Sequence, residues 1–302
     1  MAPVLNVPAA VNSHRWPEGG QQRFVRCGYG LMAGMLFWPV ACYDLIMQWT
    51  DQAIILGMRR LGESSAVLEI MTATRGRQLG MIRGARSRRL AATLQPGNRV
   101  EATWRARLDE QLGLLTIEPV TLRAARLIDR PVALFALQVL TAHLSLLAER
   151  EQHPHLHGAV DAALDGLAES PGPDVLDIAG LITRFELALL KESGFGLDLE
   201  RCAVTGGRDD LCFVSPRSGR AVSRAASVGY EARLLPLPRL LLGYRGANDS
   251  AREVEEAFRL TGHFMERHLY VPRNLAEPAA RQELRTRIGR ELSIIDEPPL
   301  YG

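Results

Sequence analysis

Between residues 52 and 120, apolar and polar positions alternate in short runs broken by glycine-bearing turns. Five strands are predicted: QAIILGMRR (52–60), SAVLEIMT (65–72), RQLGMIRG (77–84), RVEATWRAR (99–107) and GLLTIEPV (113–120). Five consecutive short strands fit a small closed or partly closed barrel, with an OB-fold the first choice and another small antiparallel topology the second. After residue 121 the period becomes helical. PVALFALQVLTAHLSLLAERE (131–151) puts Leu134, Phe135, Leu137, Val139, Leu140, Leu144 and Leu147 on one broad apolar face behind Pro131. VDAALDGLAES (160–170) and DVLDIAGLITRFELALLKESG (174–194) follow, the latter closing on Gly194, and helices return over 251–270 and 278–291. Residues 195–232 are irregular and turn-rich.

Composition narrows the class. The 302 residues suggest two or three domains, and 47% hydrophobic content excludes a wholly disordered chain. Cysteines at 27, 42, 202 and 212 are too few and too uneven for a secreted disulfide framework, so a reducing cytoplasm is expected. The apolar run YGLMAGMLFWPVACYDLI (29–46) is short for a membrane span, is interrupted by Pro39 and Asp44, and lacks a small-x-small cleavage site. A targeting segment, an ordered extra element and an upstream extension are the three readings. The third is preferred, because organised patterning begins at Met47; residues 1–46 are expected to lie outside the core fold, and no membrane partner is expected.

Net charge is only +2, yet it is unevenly spread. Residues 47–120 carry eleven arginines against seven carboxylates, whereas 121–200 carry six basic against twelve acidic residues. A basic first module beside an acidic middle indicates where an anion would bind. The stretch GRQLGMIRGARSRRL (76–90) is the densest part, and no acidic residue lies between Glu69 and Glu101. Because Lys191 is the single lysine, an arginine run by itself carries little information. Local balance carries more. Arg77 and Arg83 fall on or at the ends of the third predicted strand, Arg86, Arg88 and Arg89 on the loop after it, and Arg105 and Arg107 at the end of the fourth. On an OB-type barrel such a track would hold phosphates. Side-chain alternation sets Trp104, the aromatic available for stacking, opposite Arg105 and Arg107, so either Trp104 is core or these arginines do not share one track.

Catalytic and metal signatures are weak. Cys202 and Cys212 lie among turns, but the positions that would complete two short ligand pairs hold Thr205 and Ser215. No metal or other cofactor is therefore expected, with zinc at Cys202 and Cys212 the minor alternative. HPHLH (153–157) reads as a solvated loop, and His263 and His268, five apart on a helix, do not share a face. GESSA (62–66) is not a nucleophile elbow, and the chain has no GxxxxGK[ST] phosphate loop.

Taken together, several words in order resemble the RecO family of bacterial recombinational-repair proteins. They are WTDQAIIL with GESS (49–65), TRGR with RGARSRRL and LQPGNRV (74–100), FELALLKESG (185–194), and CAVTG followed by VSPRSGRAVS (202–223). The resemblance implies an α+β multidomain chain. An N-terminal OB-fold DNA-binding domain (47–121) would precede an α-helical domain in two parts (122–198 and 233–302), interrupted by a degenerate zinc-ribbon-like insert (199–232) that lacks two of the four cysteines that some members of the family carry there. It further implies a non-catalytic mediator of RecF-pathway recombination and DNA-damage repair in the cytoplasm, at the nucleoid. Such a protein binds single- and double-stranded DNA, anneals complementary strands and, with RecR, helps RecA load on strands coated by single-stranded-DNA-binding protein, whose C-terminal tail it contacts. An OB-fold RNA-binding or ribosome-associated factor is the alternative, and a zinc-dependent hydrolase a distant third.

Overall fold

In the computed structural model, residues 47–108, 111–242 and 251–296 are described, so the predicted extension, 1–46, lies outside the described residues. Strands β1 (Met47–Leu61), β2 (Ser65–Thr72), β3 (Gly76–Ile82), β4 (Arg99–Ala106) and β5 (Gly113–Thr121) close into a barrel in the order β1-β2-β3-β5-β4. A one-turn helix, α1 (Arg88–Ala91), capped by the Ser87 side chain, lies between β3 and β4. All pairings are antiparallel except the seam between β3 and β5, where Gly80 meets Gly113 and Met81 meets Leu114 in parallel. This is an OB-like barrel.

Both seam glycines are needed. A Cβ on Gly113 would overlap the Trp104 ring, and one on Gly80 would overlap Leu115. Trp104 fills the barrel at 1% exposure, stacks on Trp49 with centroids 5.8 Å apart, and donates its indole N–H to the Leu79 carbonyl at 3.3 Å. Of the two outcomes that alternation allowed, Trp104 is core.

The helical part comprises α2 (Pro131–Leu144), α3 (Pro154–Ala168) and α4 (Val175–Glu192). The strands β6 (Leu211–Val214), β7 (Ala221–Ser223) and β8 (Leu235–Pro236) form a small sheet in the order β7-β6-β8, with the single turn α5 (Arg224–Ser227) after β7. Helices α6 (Ala251–Met265) and α7 (Ala279–Asp296) complete the bundle. No described helix is long and apolar enough to cross a membrane.

The bundle core holds a charge. Arg281 is buried and forks onto both oxygens of the fully buried Glu186, at 2.7 and 2.9 Å, which ties α7 to α4. Beside it, His143 Nε2 lies 2.7 Å from the Tyr270 hydroxyl. Desolvation first, helped by the charge of Arg281, pushes His143 down to about 4 against the opposing pull of Glu186 and Glu277. The histidine is therefore neutral in the fold.

Barrel and bundle share β1. Ala53 and Ile55 point into the barrel, whereas Ile54 and Leu56, with Met71 of β2, are buried in the core that α2 and the other helices build. A second brace is ionic. Arg123, fully buried, reaches Asp165 at 2.7 Å, Asp161 at 2.6 Å and the Gly97 carbonyl at 3.2 Å, and Arg99 of β4 bonds the same two aspartates at 2.5 and 2.7 Å.

The histidine cluster departs from expectation. Pro154 starts α3 instead of a loop, and His153 and His157 are buried at 5% and 9% exposure, His153 held by Glu192 at 2.9 Å. Proline at a first helical position and a carboxylate partner thirty-nine residues away account for the difference. A π-turn over Glu266–Tyr270 likewise shifts the helical phase, so that His263 and His268 both lie against Phe264.

Candidate nucleic-acid interface

The arginines of the barrel divide by partner. Arg77 is committed: it bonds Glu69 at 2.7 Å and donates to the Leu147 carbonyl at 2.8 Å, which braces β3 against the end of α2. Arg99 belongs to the aspartate cluster, and Arg75 lies over the Trp49 ring at 5.3 Å. Burial pulls the Arg99 pKa down, but hydrogen bonds and charge from Asp161 and Asp165 outweigh it and raise it. The hydrogen bond from Arg123 in turn lowers Asp165, so Arg99 and Asp165 stay ionised and paired.

Arg83, Arg86, Arg88 and Arg105 are different. All four are exposed and, among the described residues, have no carboxylate partner. Arg107, exposed just past β4, has a partner of its own. Arg89 lies in α1, and its side chain lies outside those described. Two exposed arginines that also have no carboxylate partner among the described residues were not foreseen, Arg59 and Arg60 at the end of β1. Their signal was present in MRR closing a predicted strand with no acid before Glu63.

Strand register places these side chains together. Arg59 faces Val67, Val67 faces Met81, Met81 faces Leu114, and Leu114 faces Arg105. Arg105 in turn faces Gln48, so one circuit of the barrel returns to β1 far from where it began, which is the stagger of steeply tilted strands. The row leaves the barrel outward, because Ala66, Leu68, Ile82 and Trp104, which alternate with its members, are buried. Arg83 follows directly after β3, two residues beyond Met81, and the backbone tie from the Ala85 N–H to the Ser64 carbonyl, 3.0 Å, holds the Arg86 loop beside the β1–β2 turn. The result is a half-buried aliphatic face edged by Arg59, Arg83 and Arg105. Positive charge with no carboxylate partner among the described residues, set on a closed barrel, attracts a polyanion.

The cysteine insert is closed by hydrogen bonds. The Ser223 N–H and hydroxyl lie 3.3 and 3.4 Å from the buried Cys202 sulfur, and Gly206 N–H donates to the Cys202 carbonyl at 2.9 Å. Desolvation raises the thiol, yet bonds from Ser223 and Thr205 bring it down to about 6. Burial pushes Cys212 up. Among the described residues, no three His, Cys, Asp or Glu side chains are grouped to hold a metal.

Two family models match consecutive parts of the sequence: Recombination protein O N terminal over residues 47–123 and Recombination protein O C terminal over 131–275. The chain belongs to the RecO family. Relatives named DNA repair protein RecO agree. That of Chelativorans sp. is 50% identical over 246 residues, 82% of this chain and 97% of the relative. Those of Rhizobium etli and Agrobacterium fabrum are 52% and 48% identical, covering 78% and 84% of this chain and 90% and 98% of theirs. The RecO N-terminal match begins at Met47, where β1 begins.

Proposed function

We propose that the chain is a non-catalytic DNA-repair mediator that binds single- and double-stranded DNA on the outer barrel face edged by Arg59, Arg83, Arg86, Arg88 and Arg105. The observation that carries this reading is the set of exposed arginines, without a carboxylate partner among the described residues, on that face and in the loop and turn beside it, next to braced ones such as Arg77, which takes no part in the track. Arginine forks grip phosphates without reading sequence, so binding is non-specific and salt-dependent. Membership of the RecO family supports the repair context: annealing of complementary strands, partnership with RecR, contact with the tail of the single-stranded-DNA-binding protein, and loading of RecA at the nucleoid.

The test is a salt titration of binding to labelled single-stranded DNA by the wild type and by a variant with Arg83, Arg86, Arg88 and Arg105 all changed to Ala. Each neutralised single-strand phosphate contributes a slope of about −0.7, so the variant flattens the log–log dependence by up to roughly 3 units. Unrelated DNA sequences lose affinity equally. A folded variant that keeps affinity and slope overturns the proposal, and RNA of equal length that outcompetes DNA favours the RNA-binding alternative.

A further inference from the structure

We propose that single-stranded DNA on this face rests its bases on an aliphatic ridge of Val67, Leu79, Met81 and Leu114, without ring stacking, so that their pairing edges stay open to a second strand. The inference rests on the DNA reading above and adds to it a mode of holding bases. Three observations carry it. First, residues 47–121 contain two aromatic side chains, Trp49 and Trp104, and both are buried against each other inside the barrel, so neither can meet a base. Second, Val67, Met81 and Leu114 are consecutive in the cross-strand register, with Leu79 two residues before Met81, and all four are half-buried on the outer face. Third, Arg59 and Arg105 end that row and Arg83 follows it, so the ridge is apolar at its centre and positive along those edges, while the mutually neutralising Glu69–Arg77 pair closes its Leu79 end. That complementarity fits a strand whose phosphates take the rim and whose bases take the centre.

The ridge offers base faces a surface and offers their edges no donor or acceptor. A stacking ring would hold each base by roughly tenfold or more, and that gain would have to be surrendered when the base joins a duplex. Aliphatic seating removes this barrier and suits a protein that anneals strands.

Replacing Met81 or, separately, Leu114 by Trp adds the missing ring at a half-buried outer position. The probe is an oligonucleotide carrying 2-aminopurine. With the wild type its fluorescence rises on binding, because the bases part from one another without meeting a ring. In Met81→Trp and Leu114→Trp it falls, single strands bind about tenfold tighter, duplex binding is unchanged, and annealing of complementary strands slows by a similar factor. Quenching in the wild-type complex, or tryptophan variants that alter neither affinity nor annealing, overturns the inference. If the arginine variant loses binding while the tryptophan variants are silent, only the base seat falls. If the arginine variant keeps binding, the DNA face itself falls.

Discussion

Replacing Arg123 by Ala removes the centre of the brace between the barrel and α3. The side chain is fully buried and makes charge-assisted bonds to Asp161 at 2.6 Å and Asp165 at 2.7 Å, with a further bond to the Gly97 carbonyl at 3.2 Å. Breaking a buried pair by removing one partner costs about 3–5 kcal/mol. The low end applies, because the Asp161 and Asp165 side chains are 21% and 43% exposed and both retain Arg99. A loss of about 3 kcal/mol corresponds to a fall of roughly 6–12 °C in Tm for a chain of this size. The partly exposed Arg99 is expected to cost about 1 kcal/mol when changed to Ala, since Arg123 stays with both aspartates. Urea unfolding is followed by far-UV circular dichroism, dominated by the helices, and by tryptophan fluorescence, to which Trp49 and Trp104 contribute from the barrel. The two transitions coincide in the wild type and separate in Arg123→Ala, with the barrel melting first. A change under about 0.5 kcal/mol, or a larger cost for Arg99→Ala than for Arg123→Ala, refutes the reasoning.

Acid destabilises the bundle through His143. Its folded pKa of about 4 is below the unfolded value, so the unfolded chain binds a proton that the fold refuses, and stability falls by up to about 3 kcal/mol as pH drops from 6.5 to 4. Unfolding measured across that range is flatter in His143→Gln, and an unchanged pH dependence rejects the assignment. Gly113→Ala drives a methyl into Trp104, costs about 2 kcal/mol and shifts the tryptophan emission of the folded protein, whereas wild-type stability and emission would show that the seam yields freely. Cys202→Ser keeps both Ser223 contacts and costs less than about 1 kcal/mol, and a zinc chelator leaves the melting curve of the wild type in place. Near-stoichiometric zinc, released with unfolding, contradicts it.

The barrel was legible because its inner positions alternate over strands bounded by glycine turns, and β2 falls on the predicted residues. The helices were legible where an apolar stripe dominates, as in α4, and in α3 only from about residue 160; its first turns were missed because His157 and the capping His153 occupy buried positions that polarity assigns to solvent. Among the arginines, residue type could not separate Arg77 from Arg83. What divides them is Glu69 across a strand pair and a carbonyl seventy residues on, and such partners emerge only when the chain is folded. Arg59 and Arg60 were hidden for the opposite reason: a strand read for its apolar residues draws attention away from the charged pair that ends it.

Strand β1 places Ala53 and Ile55 in one core and Ile54 and Leu56 in the other. Most strands with one wet face tolerate some ambiguity of pairing, since a slipped strand forfeits a single set of contacts. Here a slip by one residue would exchange the two sets, thrusting small Ala53 toward the helices and Ile54 toward the tryptophan stack, and both halves would misfit at once. The irregularity between Ile55 and Gly57 falls at Leu56, the last of these residues, and sets the phase for the rest of the strand. The strand thus acts as a mutual proof-reader in assembly, in which neither half can accept a wrong alignment that the other has not also accepted.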